Sequence, residues 1–125
     1  MQDFLVWVYI LNAALLIVHE IDSAYWQEWK LFKLPGGLTF FLCLHIPLAI
    51  VILYGLLLVY QGALAGLIIS LILGLAGVFA FSIHTIFIRR GHAEFKIPVS
   101  RAILILTLVF SIIQLVATAY LLFAR

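Results

Sequence analysis

The sequence predicts an all-α fold, an integral membrane bundle of four antiparallel transmembrane helices, and three observations predict it. Hydrophobic residues make up 67% of the chain and charged residues 10%, with a mean hydropathy of +1.31, far from the balance of a soluble domain. The apolar residues gather into four runs, each about the 20 residues that cross a bilayer core. Those runs use nearly all of the 125 residues. Residues 1–125 are therefore expected to form a single transmembrane domain, with helices over about 4–29, 38–60, 63–90 and 98–123, and any chemistry must sit inside the bundle or at its rim.

The first run carries Asp3 and no Lys or Arg ahead of it, and no small-x-small cleavage site follows, so it is expected to stay in the protein as a helix. Trp26 and Trp29, with Lys30 and Lys33 beyond, have the composition of an interfacial anchor. Leu34-Pro35-Gly36-Gly37 breaks the chain before the second run, in which His45 is the only ionisable group and Pro47 frees the carbonyl of Cys43. Tyr60-Gln61-Gly62 leaves room only for a tight turn, so the second and third helices form a hairpin. Gly62, Gly66, Ser70 and Gly74 then repeat every fourth position, the small-residue pattern that lets membrane helices approach closely. Pro98 opens the fourth run, where Ser100, Thr107, Ser111, Gln114 and Thr118 share an arc of about 60°. That stripe reads first as interhelical hydrogen bonding and second as a substrate path.

The cations set the orientation. Lys30, Lys33, Arg89, Arg90, Lys96 and Arg101 lie in or beside the first and third connections, with Arg125 at the end. The positive-inside rule puts those connections in the cytoplasm and both termini on the other side. The net charge of +2 is small and its basic residues flank apolar runs, which excludes nucleic acid as an expected partner. A single Cys43 cannot form an intramolecular disulfide and reads as a packing residue.

His19-Glu20-Ile21-Asp22 closes the first run, and ionisable residues inside membrane segments are costly and usually functional. Asn12, His19 and Asp22 fall within about 80° on one helix face, while Glu20 is turned about 100° from His19. In the antiparallel topology His19, His45 and His84 all come out roughly 7–12 Å inside one membrane boundary. Imidazole and carboxylate groups converging in a bundle are how helical proteins hold metals. His19, Asp22, His45 and His84 are thus the expected ligands of a divalent transition metal, Zn²⁺ or Fe²⁺. Glu20 or Glu94 would be the adjoining carboxylate or general base. His19-Glu20 begins like H-E-x-x-H, but position 23 is Ser, so the zincin pattern is absent.

The opening span followed by His19-Glu20-Ile21-Asp22-Ser23-Ala24-Tyr25-Trp26, in a chain of four short spans, resembles an uncharacterised family of small bacterial membrane proteins with a His-Glu-x-Asp motif at the end of the first helix. The resemblance implies four helices, a bacterial inner-membrane location and a functional role for His19, Glu20 and Asp22. It implies no particular reaction.

Four functions fit these residues. The leading one is a metal centre near the cytoplasmic face that acts on a lipophilic substrate. The others are a proton or cation relay through the same residues, a b-type haem between His45 and His84, which is less favoured, and a structural subunit of a membrane complex. Expected partners are membrane lipids, with a second copy or another membrane protein as further candidates.

Overall fold

Apolar runs with no water to satisfy their backbone must close their hydrogen bonds internally, and in a single chain of this length they do so as helices. The computed structural model, which describes residues 1–92 and 94–124, is an all-α bundle. Its elements are α1 (Gln2–Tyr25), the single turn α2 (Glu28–Leu31), α3 (Gly37–Tyr60), α4 (Leu64–Arg89) and α5 (Pro98–Phe123). The four long helices are each apolar and long enough to cross a membrane. Ala93 and Arg125 lie outside the described residues, including the terminal cation of the orientation argument.

The bundle is inverted relative to a soluble one. Asn12, His19, Ser70, His84, Ser100, Thr107, Ser111, Gln114 and Thr118 are all buried, while Trp7, Ile50, Ile72, Phe79 and Val116 are exposed. Polar groups inside and apolar groups outside is the arrangement that hydrocarbon solvent selects.

Helix α4 packs most extensively on α5, α1 on α5 and α3 on α4, and α3 and α5 do not meet, so they occupy opposite corners. The small-residue stripe of α4 serves two neighbours. A Cβ on Gly66 would run into the backbone of Leu58 and Val59 in α3, and one on Gly74 would come within 2.8 Å of Leu115 in α5. Gly77 meets Ser111 and Thr107 in the same way.

The polar stripe of α5 closes a network across three helices. Asn12 Nδ2 donates to Gln114 Oε1 at 2.9 Å, and Ser111 Oγ donates to Asn12 Oδ1 at 3.2 Å. Gln114 Nε2 donates to the carbonyl of Ser70 at 2.9 Å, and the Ser70 and Thr118 hydroxyls bond at 2.8 Å. At the terminal end, Gln2 donates to the carbonyl of Val59 and Tyr9 to that of Ile52 at 2.8 Å.

Three local features differ from the sequence expectation. The first helix ends at Tyr25 instead of running on to residue 29, because Gln27 adopts a left-handed conformation (φ 54) and α2 starts afresh in a new direction. Trp29 is buried against Phe41, with ring centroids 5.5 Å apart, and so packs inward where an interfacial anchor was expected. Cys43 lies exposed on the outer face of α3.

Candidate metal centre

The break at Gln27 builds the site. On a continuous helix Glu28 would point about 180° away from His19. The left-handed residue turns the chain back on itself, and Glu28 returns beneath the bundle to lie with Nε2 of His84 3.2 Å from its Oε1. His19 and His84 are 1% and 0% exposed, and their rings meet edge to face with centroids 4.7 Å apart. One ligand atom from each of His19, Glu28 and His84 falls within 4.8 Å of the other two.

Two further groups enclose the cluster. Ser23, one turn after His19, sets its hydroxyl 3.5 Å from His19 Nε2. Phe95, from the connection between α4 and α5, lies over both imidazoles with centroids 4.1 Å from His84 and 5.8 Å from His19. Phe95 is almost wholly buried and holds φ at 64, a conformation that costs a side-chain-bearing residue about 1 kcal/mol or more. Among the described residues, two of the three non-glycine positions with positive φ, Gln27 and Phe95, therefore position or cover this cluster.

The donor atoms are unusually free. Among the described residues, Nδ1 of His19 and both nitrogens of His84 are buried without a hydrogen bond. The 3.2 Å contact of His84 with Glu28 is close but not aligned as an N–H···O bond. Buried polar atoms are normally paired, so three such nitrogens around one point are an exception that asks for a cause. Burial alone would push the Glu28 carboxyl up, but the close His84 imidazole and the Ser23 hydroxyl outweigh it and hold Glu28 below the usual glutamate range. It stands as a carboxylate beside two imidazoles.

The other expected ligands stand elsewhere. Asp22 turns its Oδ1 to the indole N–H of Trp26 at 2.9 Å, the next turn of its own helix. His45 pairs with Glu20, Nε2 to Oε2 at 2.7 Å, and donates from Nδ1 to the Phe41 carbonyl at 2.6 Å. Glu20 thus faces a neighbour different from that of His19, as its angular offset predicts. Glu94 lies 3.7 Å from His92 in the loop. Of the residues singled out from sequence, the structure brings His19 and His84 together and adds Glu28, for which no helical-wheel argument exists.

Fold and cluster together define a class of protein, a four-span helical membrane bundle with a buried imidazole–carboxylate cluster at one end. The chain belongs to DUF6713, a family of unknown function, which it matches over residues 5–121. No curated protein and no solved structure matches it.

Proposed function

We propose that this is a membrane-embedded metalloprotein whose His19, Glu28 and His84 side chains hold one divalent transition metal. The observation that carries the reading is the convergence of two buried imidazoles and one half-buried carboxylate, from α1, α4 and α2, within 4.8 Å. Ligands at about 2.0–2.1 Å from Zn²⁺ in tetrahedral array stand about 3.3 Å apart, close to the 3.2 Å between His84 and Glu28. Two histidines and one glutamate form a set that leaves coordination positions open, as catalytic zinc and non-haem iron sites do. A carboxylate already ionised beside two imidazoles is a donor set that suits a metal.

Asp22 is held by the Trp26 indole and Glu94 lies beside His92, so neither is assigned as a ligand. Both nitrogens of His45 are engaged, which leaves a haem between His45 and His84 without a free ligand atom on one side. The cationic residues Lys30, Lys33, Arg89, Arg90, Lys96 and Arg101 lie at the end of the bundle that carries the cluster, so the centre is assigned to the cytoplasmic side.

Elemental analysis of the purified chain after exposure to Zn²⁺ or Fe²⁺ tests this. One equivalent of metal is expected, lost in His84→Ala and Glu28→Gln and kept in His45→Ala. A folded protein that takes up no metal would overturn the reading.

A second reading has its own observation. The hydroxyls of Thr107 and Ser100 are buried, and unpaired among the described residues, along α5 between the Asn12–Gln114 network and the cluster. They would complete a proton route from the membrane interior to His84. Proton flux in liposomes, abolished by Thr107→Val, is the outcome that distinguishes a relay from a closed metal site.

A further inference from the structure

A cavity of about 370 Å³ lies between α1, α3 and α4, and none of the cluster's metal-binding side chains lines it. Its walls are apolar except for Glu20 and His45, which stand in the half nearer the connections, with Ala24 and Phe41 beyond them. The rim residues Ile17, Leu48 and Ile72 are exposed on the outer surface, so the cavity is entered sideways, from the lipid. Between Phe41 and Ile52 it extends about 16 Å along α3. The polar end lies toward the connections and the apolar end toward the middle of the bundle, which is how a lipid lies in one leaflet.

The polar end fixes the chemistry of the occupant. The Phe41 carbonyl only accepts, so His45 Nδ1 carries hydrogen and donates to it. Nε2 of His45 and Oε2 of Glu20 are joined at 2.7 Å, so both atoms are already engaged. The second oxygen of Glu20 makes no hydrogen bond among the described residues, and the Glu20 side chain is 37% exposed. An acceptor with no donor facing hydrocarbon is costly, and a hydroxyl relieves that cost where a carboxylate or phosphate head offers only more acceptors.

We infer that this cavity binds a membrane amphiphile with one hydrocarbon tail and a neutral hydroxyl head, the hydroxyl donating to Glu20 and the tail filling the slot between α1, α3 and α4. A volume of this size lies within the usual range for small-ligand sites, and the mostly apolar lining with a few convergent polar groups is their usual make-up. The inference uses no ligand of the metal centre and stands or falls separately from it.

The test is photolabelling of the full chain, purified in detergent, with a diazirine-bearing hexadecanol and with the matching hexadecane and hexadecanoate probes. The alcohol is expected to label the walls near Ala49 and Ile17, and unlabelled hexadecanol to compete at least tenfold better than hexadecanoate. Ala49→Phe, which fills the slot one turn from His45, is expected to cut labelling at least fivefold in protein that elutes as a single species. Glu20→Leu should erase the preference for alcohol over alkane. Equal labelling by all three probes, or labelling spread evenly over the lipid-facing surface, would overturn the proposal, and those arms need no variant to fold.

Discussion

At the scale of single residues, the cluster depends on buried atoms that make no hydrogen bond among the described residues. Nδ1 of His19 and Nδ1 of His84 have no hydrogen-bond partner there and Nε2 of His84 has only its unaligned contact with Glu28, a burden of roughly 1–3 kcal/mol for each unsatisfied group. A metal at this point would offset it, since a ligand that binds only the folded state stabilises by about 2.7 kcal/mol at a hundred times its Kd. Thermal unfolding in detergent should therefore rise by several degrees on adding Zn²⁺. In Glu28→Gln, which keeps the shape and removes the charge, the shift should vanish. His19 and His84 were legible in the sequence because depth in an antiparallel bundle follows from residue counting. His45 has the same depth, but its ring is claimed by Glu20 and by the Phe41 carbonyl. Counting residues gives height along a helix and says little about which neighbour a side chain meets.

At the scale of elements, the turn at Gln27 decides the site. Its φ of 54 is open to Gln at a modest cost and closed to proline, whose ring fixes φ near −65°. Gln27→Pro should leave the four spans in place and abolish metal uptake, measured by helicity and elemental analysis on one preparation. The same scale governs the glycines of α4. A side chain at Gly77 meets Thr107 Cγ2 at 3.1 Å and collides with Ser111. Gly77→Leu should destabilise the bundle by about 2–3 kcal/mol, while Ala65→Leu, on the exposed face of the same helix, should be nearly neutral. Unfolding in mixed detergent titrations reads both. The four-residue spacing announced a close approach, but only the packing shows that Gly66 serves α3 while Gly74 and Gly77 serve α5.

At the scale of the whole molecule, a polar seam joins α1, α4 and α5. Gln114 bonds both Asn12 and Ser70, so Gln114→Leu removes both bonds, leaves Asn12 Nδ2 without its acceptor and should cost about 1–2 kcal/mol of stability, checked by thermal denaturation. Orientation is also a property of the whole. In a Cys43→Ser background, a cysteine placed at Gly91 should react with an impermeant thiol reagent only after the membrane is opened, and one at Gln61 should react in intact cells. Both expectations come from the distribution of Lys and Arg between the two ends of the bundle.

The sequence by itself determined the class of solvent, the four spans, their antiparallel order, the polar faces of α1 and α5, and the shared depth of the histidines. These follow from hydropathy, chain length and helical period, which are local or additive along the chain. Only the tertiary structure decided that Glu28 completes the cluster, that Phe95 covers it, and that Glu20 and His45 leave it to form the end of a separate lipid-facing cavity. Each of those outcomes turns on a backbone reversal or a rotation about a helix axis. Such angles are set by packing among distant segments, and no period in the sequence records them.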